Sequence, residues 1–479
     1  MRAPSIEEII ALDRSALRAC PDFPDCEGCL EEVCVTVASV ADFPSEYGRF
    51  RIVAFLNNKD DKDHIAIVKG EQVIYARGFG QRNVAQNLPV TADTLFAIGS
   101  CSKAFTATAL AMLAEEGKLD WDRPLRTYLP TFKMWDDYVT ERMTPRDLVT
   151  HRSGLPRHDL MWYGAPFTRR QMFDRLRYLE PSRGFREAYQ YQNLMFMTAG
   201  VLLEELTGKT WEEFIRERFF APLQMSRSNT SVNDSQKAAD FALPYVESKE
   251  QIISRTLELI EPAGPMASML RNGVQFKGTQ VIPEKALLET HKPHTVMAST
   301  LRYEDELFYP LYALGWSVNA YRGHRMLSHG GGIDGFTAHV SFMPKDMLGV
   351  VILTNKGGTR LTGILAYNIY DRLLGLEPLP WNQRNKDEVA RERETQQKNE
   401  KEAEADRKPN TQPSHALADY AGEFEHPGYG VLTIWENGGR LNASYNGFTL
   451  ALRHFHFDVF EAGEGPLSRT KFTFGLNGK

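Results

Sequence analysis

Ser100 and Lys103 are the residues of this chain best suited to chemistry. They stand three positions apart in Ser100-Cys101-Ser102-Lys103, at the head of a small-residue-rich stretch running from Ala104 to Leu113. On a helix, positions i and i+3 share a face, so the Lys103 amine reaches the Ser100 hydroxyl. The helix N-terminus adds partial positive charge, which disfavours the ammonium and favours an oxyanion. A serine activated in this way becomes a nucleophile without a histidine. The competing role for Ser100 is an N-cap, which serine fills routinely. Ser102 is the rival nucleophile, but it adjoins Lys103 and faces elsewhere. A second Ser-x-x-Lys, from Ser468 to Lys471, runs into the alternating Lys471-Phe472-Thr473-Phe474. On a strand, positions i and i+3 point to opposite faces, so that pair is set aside.

Two later segments carry complementary groups. Tyr191-Gln192-Asn193 lies where a polar-aromatic loop gives way to an apolar helix. A phenol held near a lysine shares its proton, so Tyr191 would act as general base towards Ser100 and then as acid towards the leaving group. The alternative is a half-buried tyrosine anchoring a helix. His329-Gly330-Gly331-Gly332 precedes Gly335 to Met343, which reads as a strand entering a turn at Pro344-Lys345-Asp346. Consecutive glycines let a backbone approach a substrate closely and leave N–H groups free for an oxyanion. The plainer reading is a flexible loop with an incidental histidine.

In this order the three segments resemble the serine β-lactamase and penicillin-binding-protein superfamily, specifically its class C-like branch of esterases and D-amino-acid peptidases. Pro89 to Ser100, Met143 to Pro156, Tyr312-Ala313-Leu314-Gly315-Trp316 and Leu353-Thr354-Asn355 extend the resemblance over roughly residues 64 to 375. It implies that Ser100 is the nucleophile of an acyl-enzyme and that Lys103 and Tyr191 handle its protons. Asn193 would point its amide at the substrate and at Lys103. His329 would edge the cleft near Tyr191, where many β-lactamases carry lysine. Backbone N–H groups of Ser100 and Gly332 would form the oxyanion hole. The histidine tilts the reading towards esters, amides or D-peptides, because a lysine would offer full charge to the carboxylate of a β-lactam. No cofactor and no metal is implied. Two alternatives accompany this reading: an acyltransferase using the same site, and a catalytically impaired relative serving as a scaffold or self-assembling protein.

Composition agrees with a large globular enzyme: 479 residues, 42% hydrophobic and 25% charged. A net charge of −6 without a long basic block argues against nucleic acid or an acidic membrane as the main partner. No apolar run is long enough to span a bilayer, and the N-terminus lacks a signal core, so a cytoplasmic location is expected. The oligomeric state is not readable. Cys20, Cys26, Cys29 and Cys34 crowd one segment. Only one C-x-x-C pair is present and no histidine accompanies it, so reduced thiols are expected there in preference to zinc or disulfides. Cys101 reads as a small buried residue beside the nucleophile.

The expected fold class is α+β: an antiparallel sheet built from both ends of the catalytic region, flanked by helices, plus a small C-terminal antiparallel β-barrel-like domain. Residues 1–60 read as an irregular extension with a short helix from Ile6 to Leu17. Residues 61–380 form the hydrolase domain, 381–413 a charged helix or linker, and 414–479 the β-domain, which resembles the lipocalin-like module of some family members. Its expected strands include Val431 to Trp435, Leu441 to Tyr445 and Phe455 to Phe460, with a hairpin turn at Glu436-Asn437-Gly438-Gly439. Three departures from the family pattern stand out: the segment after Ser268 is shortened, the region before His64 carries the cysteine cluster, and the chain stops in what reads as an unfinished hairpin. A spliced, truncated or degraded gene product would account for all three.

Overall fold

The computed structural model describes side chains over residues 64–70, 73–247, 281–297, 303–463 and 467–475, and only backbone at a few further strands. The expected helix at Ile6 to Leu17, the cysteine cluster and the segment after Ser268 lie outside the described residues. The chain divides into two units, residues 1–61 and 62–479. In the first, Val35–Ser45 and Gly48–Asn57 pair as an antiparallel hairpin.

The second unit is organised around an eight-stranded antiparallel sheet. Its order is Thr295–Val296, Leu307–Tyr312, Ser317–Tyr321, His324–Ile333, Phe336–Met343, Leu348–Thr354, Asp63–Lys69 and Gln72–Gly78. The first strand of the catalytic region therefore pairs with the last, Ile67 opposite Val350, as expected from the apolar runs at both ends. Alternation decides the faces. Ser341 and Val350 lie side by side beneath the helix Leu361–Leu373, whose Tyr370 hydroxyl sits 3.0 Å from Ser341 Oγ. On the opposite face Ala338, Val340 and Leu353 pack against Ile98 and Cys101.

The helix Lys103–Glu115 is buried on every side from Lys103 to Leu113, which is how a central helix differs from an amphipathic surface one. Its alanines admit close neighbours, among them the helix Asn193–Thr207. That second helix starts on Gln192, whose side-chain oxygen accepts from Leu194 N at 2.8 Å, and ends at Gly208 with φ +67°. Among the described residues, no helix is long and apolar enough to cross a membrane.

The charged stretch forms one helix, Trp381–Ala405, and it is tied down. Trp381 is buried, donating through Nε1 to Asp371 at 2.9 Å. Arg384 pairs with Glu306 and Arg360 with Glu388, while Glu404 and Glu400 reach Arg453 and Arg469 of the C-terminal module. The module is a six-stranded antiparallel meander from Gly422–His426 to Lys471–Thr473. It curls enough for Phe424 on its first strand to meet Phe474 just beyond its last, ring centroids 5.8 Å apart, giving a half-barrel. The turn at Gly438-Gly439 has two positive φ values, as a two-residue hairpin requires. The expected strand from Phe455 to Phe460 is instead broken. The chain turns at Phe457 (φ +45°) and Asp458, whose carboxylate accepts from Ser414 N at 2.8 Å. Alternation in the sequence passes through the turn because Phe457 is exposed.

Candidate active site

Gly99–Ser102 forms a single 3-10 turn that leads into the helix beginning at Lys103. Lys103 is fully buried, its Nζ 2.9 Å from Ser100 Oγ and 2.8 Å from Asn193 Oδ1. Burial, reinforced by the nearby Arg157 charge, lowers its pKa to about 7. The Tyr191 ring faces the same amine, centroid 4.9 Å away. Burial raises the Tyr191 pKa, against the lowering effect of a hydrogen bond with Ser100. Ser102, the rival nucleophile, is buried and donates to Gly99 O at 2.7 Å. Cys101 is buried beneath the turn with Sγ 3.3 Å from His329 O, and burial raises its pKa to about 12, so it is held as a neutral thiol.

The strand His324–Ile333 carries the glycines. Its neighbour Ser317–Tyr321 reaches only as far as Ser328, whereas Phe336–Met343 pairs along the whole stretch to Ile333. One edge from His329 onward therefore faces the turn that carries Ser100. Gly331 is required there: a Cβ would lie 1.8 Å from Ile98 O and 3.2 Å from Ser100 N. Gly99 (φ +50°) approaches Gly332 from the other side, where a Cβ would lie 2.8 Å from Gly332 N. The backbones of Ser100 and Gly332 are thereby brought together.

His329 lies beside Tyr191, centroids 6.3 Å apart, but both its ring nitrogens are engaged elsewhere. Gln192 N–H donates to His151 Nδ1 at 3.0 Å, which leaves the proton of neutral His151 on Nε2. That proton is donated to the Tyr312 hydroxyl at 3.1 Å. Tyr312 donates in turn to His329 Nε2 at 3.1 Å, and His329 Nδ1–H to Gly330 O at 2.6 Å. Every donor meets an acceptor, and a backbone group fixes each end. Burial and the Lys103 charge lower the pKa of His329 to about 3 and that of His151 well below its ordinary value, so both rings are neutral.

His151 and Tyr312 were not singled out by sequence, although both lie within the flanking phrases. The local fold explains the first phrase. Thr144 and Asp147 form a capping box at Pro145–Leu148, and the buried Asp147 accepts from Arg152 Nε at 2.6 Å and from Arg186 Nη2 at 2.6 Å. His151 follows with φ +56°, and its carbonyl accepts from Gln190 N at 2.8 Å. Tyr191 and Asn193 are thus hung from this segment. Asp159 and Arg157 were also missed. Asp159 Oδ1 accepts from Asn193 Nδ2 at 3.2 Å, and the Arg157 guanidinium lies over the Tyr191 ring at 5.2 Å. No group of three or more His, Cys, Asp or Glu side chains able to hold a metal occurs among the described residues.

An antiparallel sheet, a helix-borne serine and lysine, and a glycine strand edging them define a β-lactamase-type hydrolase fold. A family model described as Beta-lactamase matches residues 63–373, and the chain belongs to that family. A second, described as a domain of unknown function (DUF3471), matches residues 406–479. The chain is 28% identical over 403 residues to the unguisins hydrolase of Aspergillus campestris, spanning 78% of this chain and 74% of that protein. It shares its fold with the octameric penicillin-binding protein homologue of Pyrococcus abyssi, with TM-score 0.57 and 21% identity over 86% of this chain and 92% of that one. The D-amino acid amidase of Ochrobactrum anthropi has the same fold, with TM-score 0.54 and 21% identity over 66% of this chain and 94% of that one.

Proposed function

We propose that the chain is a serine hydrolase that forms an acyl-enzyme on Ser100 and cleaves small esters, amides or D-amino-acid peptides. The observation that carries this reading is the buried Lys103 amine 2.9 Å from Ser100 Oγ. With its pKa lowered to about 7, a large fraction of Lys103 is free base at neutral pH, while the raised Tyr191 remains a phenol. On this reading Lys103 is the base and Tyr191 a proton donor, which replaces the general-base role expected for Tyr191 from the sequence and keeps its role as acid.

Ser100 Oγ attacks the substrate carbonyl carbon as its proton passes to Lys103 Nζ. The carbonyl oxygen becomes an oxyanion between the Ser100 and Gly332 N–H groups, each such donor contributing about 3 kcal/mol when aimed at developing charge. Collapse breaks the bond to the alcohol or amine, which leaves with a proton relayed from Lys103 through the Tyr191 hydroxyl. Water then attacks the acyl ester, gives its proton to Lys103, and releases the acid as Ser100 is restored. A neutral His329 puts no fixed charge on the glycine edge, which suits uncharged acyl groups. Similarity to a hydrolase of unguisins and to a D-amino acid amidase supports the same substrate range.

Intact-mass measurement after fluorophosphonate treatment tests the reading. Stoichiometric labelling of wild type, absent in Ser100→Ala and Lys103→Ala, is expected; an unlabelled but folded wild type overturns it.

A further inference from the structure

The C-terminal module matches a family description that assigns it no function. We propose that it positions the active site: the tip of its Asn446-Gly447 hairpin holds the segment from Arg157 to Tyr163, and that segment sets the orientation of Asn193 and the wall beside Tyr191. The proposal rests on the catalytic reading of Ser100 and Lys103.

The hairpin joins Arg440–Tyr445 to Phe448–His456 through Asn446 (φ +48°) and Gly447 (φ +78°), a two-residue turn of the kind that usually points to solvent. Here it points into the catalytic domain. Asn446 Nδ2 donates to Leu160 O at 2.6 Å and to Tyr163 O at 3.2 Å, and the Tyr445 hydroxyl lies 2.9 Å from the same Leu160 carbonyl. Phe448 stacks on Tyr163 with an interplanar angle of 15°. One amide thus caps two carbonyls of a short turn, and shares the first of them with the Tyr445 hydroxyl.

The other side of that turn faces the chemistry. Asp159 accepts from Asn193 Nδ2, so the Asn193 amide is oriented with Oδ1 towards Lys103. Arg157, which pairs with Asp159 at 2.5 Å, covers the Tyr191 ring. The Tyr163 hydroxyl donates to the buried Asp334, two residues beyond Gly332. Asn446 is therefore a positioning residue acting through Asp159, and the module reaches Lys103 by way of Asn193, the Tyr191 ring and the end of the glycine strand through one short segment.

The test uses the full chain. Asn446→Gly keeps the positive-φ turn and removes the donors, and Asn446→Asp keeps the shape and sets oxygen against two carbonyls. Arg453→Ala, which lies in the same module and breaks ion pairs to Glu404 of the charged helix and to Glu461, is the control. Hydrogen exchange should accelerate across residues 157–163 and 186–195 in both Asn446 variants and not in Arg453→Ala. On an ester substrate, kcat/KM should fall roughly tenfold or more in the Asn446 variants. Asn446→Gly combined with Asp159→Ala should be no worse than Asp159→Ala alone, the non-additivity of residues acting through one another. Faster exchange confined to the hairpin, or additive losses in the double variant, would overturn the proposal. Failure of the hydrolase reading would register separately, as the expected exchange pattern in the Asn446 variants alongside a folded wild type that takes no fluorophosphonate.

Discussion

Tyr312 donates its hydroxyl proton to His329 Nε2 at 3.1 Å while accepting from His151 on its other side. It joins two buried imidazoles by hydrogen bonds. Tyr312→Phe would leave one buried donor and one buried acceptor without partners, at about 1–3 kcal/mol each. Urea unfolding should show a lower midpoint at unchanged slope. A stability within about 0.5 kcal/mol of wild type would mean that the relay does not hold the rings.

The ionisation of Lys103 should govern the pH dependence of kcat/KM. Only the free amine accepts the Ser100 proton, so the rate should rise with pH to a plateau above about 7. His329, lowered to about 3, and His151, also lowered, should add no step between roughly pH 5 and 9. Lys103→Ala should remove the step and lower kcat by about 10²–10⁴-fold. An apparent pKa near the ordinary lysine value would contradict this picture.

Gly331 and Gly330 are adjacent, yet they should respond oppositely to a methyl group. Gly331→Ala drives Cβ to 1.8 Å from Ile98 O, so the strand and the nucleophile turn must part, costing about 1–3 kcal/mol and around a hundredfold in rate. In Gly330→Ala the nearest atom is Ala338 O at 3.9 Å, and activity should be retained. Equal labelling rates in the two variants would show that this contact does not build the site.

Acid should unfold the protein earlier than its carboxylates alone require. His151 and His329 are buried and His339 is half-buried, and desolvation keeps all three neutral, with His329 lowered to about 3 and His339 to about 4. Their unfolded counterparts protonate near 6.5, so the unfolded state takes up protons first as pH falls. The stability associated with these rings is complete above that value and is lost progressively towards pH 3. Calorimetry should give a lower Tm at pH 5 than at pH 7; an unchanged or higher Tm would refute the assignment.

Much of this arrangement is legible from local pattern. Ser100 and Lys103 declare themselves by spacing, the triglycine by composition, and the meeting of sheet ends by apolar runs near residues 65 and 350. What stays hidden depends on contacts far apart in sequence. His151 and Tyr312 are separated by 161 positions, and each lies in a phrase whose other residues explain themselves as core or cap. The Asn446-Gly447 turn is visible as a turn, but nothing in its neighbourhood announces that its amide serves carbonyls at Leu160 and Tyr163. The charged stretch from Arg384 onward reads as solvated because its partners, Glu306, Arg360 and Arg453, lie in other elements.

The pairing of Ile67 with Val350 also constrains how the protein comes into being. The strand that carries Ile67 is made before Ser100, and the strand it needs is made only after Ser100, Tyr191 and the glycine strand have all emerged. Long-range pairings of this kind form slowly and leave apolar edges waiting. A nascent chain halted before Thr354 would carry Ser100 on an unclosed sheet, vulnerable to aggregation and without a finished cleft. On the proposed reading of Ser100, activity would wait until the catalytic domain is nearly whole.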